Sequence, residues 1–127
     1  MVPAVVDPKP PVLDIAVVAR LQELATQVAR PGEDILGDLF RLFWQDSEKR
    51  LEAIRTALNE DRTLEASRAA HALKGAAGNV GAVEVMALAG SLERELAAGI
   101  VDAAKVDGLA TALAQAVTAL RVELVPR

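Results

Sequence analysis

The sequence contains one histidine, His71, and its side chain is the most promising group for chemistry. An imidazole with an ordinary pKa of about 6.5 is partly neutral near neutral pH, so one ring nitrogen is a nucleophile that can attack phosphorus. A helix turns about 100° per residue, which places His71 roughly 150° from the centre of the surrounding apolar stripe. That stripe consists of Ala66, Ala69, Ala70, Leu73, Ala77 and Val80. His71 should therefore face solvent, where a partner can reach it.

Two glycines follow His71 on the same helix face, Gly75 one turn later and Gly78 two turns later. A glycine inside a helix costs about 1 kcal/mol relative to alanine, so two of them beside one exposed side chain need a reason. One reason is that they open a channel to the imidazole; the alternative is that the helix frays there. Lys74 lies about 60° around the surface from His71. It is either a cation that stabilises an anionic group on the imidazole or an ordinary solvated charge.

A carboxylate is needed beside the histidine if only one ring nitrogen is to react, because an acceptor on the other nitrogen fixes the tautomer. Two antiparallel helices are expected to meet in a turn at Gly81, with His71 ten residues before it and Glu93 twelve after it. At 1.5 Å per residue the two side chains lie within about 3 Å of the same height. Glu93 is therefore the candidate orienting group, although a solvent-facing helix charge would fit the same position.

Helical periodicity recurs along the chain and predicts the elements that must position these groups. Five helices are predicted: from Asp14 to Pro31, from Glu33 to Asn59, from Thr63 to Asn79, from Ala82 to Ala98, and from Asp102 to Leu124. Short connections force antiparallel neighbours. The expected fold is all-α, an antiparallel up-down four-helix bundle with an additional N-terminal helix across one end. Residues 1–12 contain four prolines and are predicted to be a linker, with residues 13–125 as the domain.

Composition excludes several classes of function. A net charge of −4 gives no attraction for a nucleic-acid backbone, and without cysteine there is no disulfide or thiolate site. A lone histidine lacks the partners of a metal site, and the glycines do not follow the spacing of a nucleotide loop. With neither a signal segment nor a long apolar run, the chain is expected to be cytoplasmic without direct membrane contact, even if its parent protein is anchored in the inner membrane.

The segment from Ala70 to Gly81, with Leu92-Glu93 further along, resembles the signature of the histidine-containing phosphotransfer (HPt) domains. The pattern is a histidine, then Leu-Lys-Gly, then a further glycine and a hydrophobic helix that closes in Leu-Glu. The likeness covers about residues 13–124. It implies that His71 is phosphorylated, that Lys74 and Gly75 support the phosphoryl group, and that Glu93 orients the imidazole.

The same resemblance implies a carrier in a two-component phosphorelay, not an autonomous enzyme. It is expected to be the C-terminal module of a hybrid sensor kinase and to act as a monomer. Its partners would be receiver domains, which supply the acceptor aspartate and Mg²⁺, so the chain itself would bind no cofactor. A receiver would have to cover a surface formed by Ser67, Arg68, Lys74, Gly75 and Gly78.

Two other functions remain as alternatives. The first is the dimerisation and phosphoacceptor region of a sensor histidine kinase, which is also a helical hairpin with an exposed histidine. In that family an acidic residue follows the histidine directly and a proline comes soon after, whereas here Ala72 follows and the helix has no proline. The second is a non-catalytic helical adaptor, for which His71 would be dispensable.

Overall fold

Five helices account for most of the computed structural model, which describes residues 10–126. They are α1 (Ile15–Val28), α2 (Ile35–Asn59), α3 (Thr63–Asn79), α4 (Val83–Ala97) and α5 (Ala103–Leu124). The described residues form no strand, so the all-α prediction is confirmed. The predicted linker of residues 1–12 lies mostly outside the described residues, and Val12 at its end already packs against the core.

Aspartates begin three of the helices, because their carboxylates accept the backbone N–H groups that the first helical turn leaves unpaired. Asp14 accepts from Ala16 and Val17 at the start of α1, and Asp102 accepts from Ala104 and Lys105 at the start of α5. Asp34 does the same for Gly37 in α2. These residues set where the helices begin, which the sequence indicated at Asp14 and Asp102.

Helices α2 to α5 form the antiparallel bundle. α3 packs against α2 and α4, and α5 packs against the same two helices from the opposite side. The stripe of α3 is made of small residues, and Ala66, Ala70 and Ala77 are fully buried. Such small side chains let α2 and α4 approach the backbone of α3 closely. The backbone of α3 is therefore held closely between α2 and α4, and this fixes the direction in which its outer face projects.

Helix α1 lies across the end of the bundle where α3 turns into α4. The backbone N–H of Asp14 donates to the carbonyl of Gly81 at 2.7 Å, and the Gln22 amide donates to the carbonyl of Glu123 at 2.9 Å. Gly81 has a φ of +76°, and a Cβ there would lie 3.0 Å from that of Val17. Only glycine suits this turn, both for its backbone conformation and for the space that α1 leaves.

No helix within residues 10–126 is both long and apolar enough to span a membrane.

Candidate functional site

His71 projects from the outer face of α3, with 66% of its side chain exposed. Its helix neighbours Ala70 and Leu73 are completely buried. The backbone of His71 is thus fixed by the core, while the imidazole stands in solvent. This is a suitable arrangement for a group that must meet a reactive centre on another molecule.

Glu93 approaches His71 from α4. Its Oε1 lies 2.8 Å from Nδ1 of His71 and its Oε2 lies 3.1 Å from the same nitrogen. Hydrogen bonding from Lys74 and then from His71, with the positive charges of both, lowers the pKa of Glu93 below its ordinary value despite some desolvation. An ionised carboxylate can only accept hydrogen bonds. Nδ1 of His71 therefore carries the proton, and the lone pair of the neutral ring is on Nε2.

Lys74 shares the carboxylate of Glu93 with His71. Its Nζ lies 3.0 Å from Oε2 of Glu93, and its side chain is 35% exposed. Glu93 is 23% exposed and thus partly shielded beneath both donors. The ammonium of Lys74 is held one helical turn from the imidazole, so it is not simply a solvated charge.

Ser67 lies differently from the sequence expectation. It is only 6% exposed, and its hydroxyl donates to the backbone carbonyl of Glu93 at 2.9 Å. This burial removes Ser67 from the surface that a partner could cover. The hydroxyl instead ties α3 to α4 at the residue that meets His71. Arg68 is exposed, as a docking residue must be.

The two glycines after His71 differ in their surroundings. A Cβ on Gly75 would meet nothing within 4 Å, whereas a Cβ on Gly78 would lie 3.2 Å from Sδ of Met86. Gly78 thus gives room to a side chain of α4, while no packing within the described residues requires glycine at position 75. α3 continues unbroken to Asn79, so the alternative that the helix frays at these glycines is wrong.

Two features of α3 and its neighbouring helices were missed in the sequence. The first is Gly90 in α4, which lies beneath the side chain of Lys74. The second is a shallow hollow of about 260 Å³ between α2 and α3, whose lining includes Leu39, Leu42 and Ala76. A glycine inside a predicted helix was a usable signal for the first. The hollow depends on which faces of α2 and α3 meet, and no local sequence pattern predicts this.

No group of three histidine, cysteine, aspartate or glutamate side chains in the described part of the chain is arranged to hold a metal ion.

Comparison with known proteins gives two matches. The Hpt domain family matches residues 38–123, from the first turn of α2 to the last turn of α5. Among solved structures, the crystal structure of histidine-containing phosphotransfer protein B from Pseudomonas aeruginosa PAO1 is similar, with a TM-score of 0.79 and 27% sequence identity. The match covers 89% of this chain and 94% of that one. No curated protein sequence matched.

Proposed function

Because this chain belongs to the Hpt domain family, we propose that Nε2 of His71 accepts a phosphoryl group from a receiver-domain aspartate and passes it to a second receiver. One observation carries the assignment to His71. Its exposed ring has Nδ1 held 2.8 Å from the ionised carboxylate of Glu93, which leaves Nε2 as the nucleophile.

The transfer needs no proton to leave the histidine. The Nε2 lone pair forms the N–P bond as the P–O bond of the aspartyl phosphate breaks, and the bonding electrons return to the aspartate carboxylate. The ring then carries a positive charge with the proton still on Nδ1, and the carboxylate of Glu93 stabilises this charge. The ammonium of Lys74 would stabilise the negative charge of the phosphoryl oxygens. The second transfer is the reverse of the first.

Mg²⁺ and the reacting aspartate belong to the receiver in this proposal. The chain acts as a phosphotransfer carrier. It provides the nucleophile, the carboxylate that orients it and one cation. We also propose that it works as a monomer in the cytoplasm, as the C-terminal module of a hybrid sensor kinase. The proline-rich residues 1–12 would connect it to the rest of that protein.

The receiver would dock around Arg68, Lys74, Gly75 and Gly78. Exposed apolar surface also lies between α2 and α3, because Leu42 of α2 is 66% exposed and lines the hollow there together with Ala76. A small interface with apolar and charged parts suits an encounter that must form and dissociate quickly.

The experiment is incubation of the chain with a receiver phosphorylated on its aspartate. Labelled phosphate should move to the chain, and the label should be lost in acid and survive in base, as expected of a phosphoramidate. His71→Gln should take up no label and should unfold at nearly the wild-type temperature, because an exposed side chain contributes little packing. Label on the folded variant would contradict the proposal. If neither protein takes up label from any receiver, the adaptor alternative is favoured.

A further inference from the structure

Gly90 lies in the middle of α4, level with Lys74 on the neighbouring helix. In the antiparallel pair of α3 and α4, His71 pairs with Glu93. Three residues further along α3 and three back along α4 bring Lys74 opposite Gly90. Glycine inside a helix costs about 1 kcal/mol relative to alanine, and the φ of Gly90 is not in the left-handed region. The backbone of α4 therefore does not require a glycine here.

The surroundings of Gly90 show what uses the space. A Cβ on Gly90 would lie 3.2 Å from Cδ of Lys74 and 3.6 Å from a guanidinium nitrogen of Arg94. No atom of the core lies within 4 Å of that position. Gly90 is nevertheless buried, because the side chains of Lys74 and Arg94 cover it.

We infer that Gly90 is a positioning residue for phosphotransfer: its bare backbone lets the stem of Lys74 lie against α4, which directs the ammonium to Glu93 beside His71. With a side chain larger than a methyl group at position 90, the stem of Lys74 would have to leave α4. Its ammonium would then extend toward solvent, where a long flexible side chain samples many rotamers. The bond of Nζ to Oε2 of Glu93, now 3.0 Å, would be lost.

The role of Lys74 in this inference rests on the proposed function, but the placement of its side chain does not. Hydrogen bonding from Lys74 is the largest cause of the lowered pKa of Glu93. The carboxylate therefore reports the position of the ammonium before any phosphoryl group is present. His71 is the other group that donates to this carboxylate, and it is unchanged in the variants below.

The test compares Gly90→Leu with Gly108→Leu. Both replace a helical glycine by a good helix former. Gly108 is a matched control, because it lies exposed on α5 and a Cβ there would meet nothing within 4 Å. Both variants should fold, because neither change places a side chain against the hydrophobic core. Gly90→Ala is the conservative variant, since its single methyl group needs Lys74 to shift by only a few tenths of an ångström.

The first measurement is the titration of the Glu93 carboxyl carbon by NMR in the unphosphorylated protein. The midpoint should move upward in Gly90→Leu and in Lys74→Ala, and should stay at the wild-type value in Gly108→Leu and close to it in Gly90→Ala. An unchanged midpoint in Gly90→Leu would overturn the inference. This titration needs no receiver, so it decides the placement of Lys74 even if His71 accepts no phosphoryl group.

The second measurement is the rate of phosphoryl transfer from a phosphorylated receiver. Gly90→Leu should be roughly tenfold slower than wild type, as expected for the loss of one charge-assisted hydrogen bond. In a Lys74→Ala background the same change should have no further effect, because the side chain that it displaces is absent. A full effect of Gly90→Leu in that background would mean that the glycine acts through the fold and not through Lys74.

Discussion

Glu93 bears two hydrogen-bond donors on one carboxylate, and this sharing decides how the site responds to pH. Lys74 and His71 both favour the ionised form, so the pKa of Glu93 is lower in the folded protein than its ordinary value of 4.5. The resulting stabilisation is present above that ordinary value and is lost as the pH falls through the lower, folded value. The same protonation would weaken the hydrogen bond that Nδ1 of His71 donates to this carboxylate.

Replacement of Glu93 by glutamine tests this coupling at the level of one residue. At neutral pH, Glu93→Gln should lower the free energy of unfolding by no more than about 1 kcal/mol, because the ion pair lies near the surface. The difference from wild type should shrink as the pH falls below 4.5, since the wild-type carboxylate then becomes neutral. Urea unfolding of both proteins, from neutral pH to below 4.5, measures this difference in unfolding free energy. A difference that stays constant with pH would contradict the assignment of Glu93 as ionised at neutral pH.

Gly75 gives a second prediction at the scale of the residue. Gly75→Leu should leave the fold intact and raise the free energy of unfolding by up to about 1 kcal/mol, because leucine is the better helix former and nothing lies within 4 Å of the new Cβ. Phosphoryl transfer to His71 should nevertheless be strongly slowed, since the leucine side chain would stand in the receiver's path. Thermal unfolding and transfer rates test both parts, and normal transfer in the folded variant would show that this glycine is not there for access.

At the scale of the element, α3 and α4 act as one unit that brings two sequence-distant side chains together. Ser67 contributes directly, since its hydroxyl donates across to the backbone carbonyl of Glu93. The position of the carboxylate next to His71 therefore depends on the register of the two helices. This register is also set at Gly81, where the pair turns and α1 is attached.

Ser67→Ala is expected to loosen this unit without a cavity, because alanine is only slightly smaller than serine. The carbonyl of Glu93 keeps its helical hydrogen bond, so the loss in the free energy of unfolding should be about 1 kcal/mol, the net contribution of one hydrogen bond. Urea unfolding measures it. Thr118→Ala is the control, because the Thr118 hydroxyl bonds only within its own exposed turn of α5. Equal losses of unfolding free energy in the two variants would mean that the hydrogen bond between α3 and α4 stabilises the fold no more than one within a single helix.

The helices were predictable from the sequence because their limits have local causes, such as the carboxylate caps at Asp14 and Asp102 and the glycine turn at Gly81. The expectation for Ser67 fails for a reason that is not local. Ser67 and Lys74 lie on the same flank of α3, at about 100° and 80° from Ala66, and α4 covers that flank. The long stem of lysine emerges from the contact and the short serine does not. Which flank α4 would cover could not be predicted from α3 alone.

At the scale of the whole molecule, α5 lies on the side of the bundle opposite α3, and contacts only α2 and α4 extensively. A receiver that reaches His71 should therefore leave α5 untouched. Its addition to labelled protein should shift the backbone NMR signals of residues 67–78 and of the facing part of α2, while the signals from Asp102 onward stay in place. Shifts confined to α5 would place the docking surface elsewhere and remove the reason given for Gly75.

His71 projects from a single face, and this has a kinetic consequence for a carrier that serves two receivers. The phosphorylated donor and the empty acceptor must occupy the same surface in turn, so each is a competitive inhibitor of the other. The rate of phosphoryl transfer from donor to acceptor should rise and then fall as the concentration of the empty receiver increases. At high concentration the empty receiver covers His71 and excludes the donor. A carrier of this shape works fastest when both partners dissociate quickly, so short residence times serve it better than tight binding.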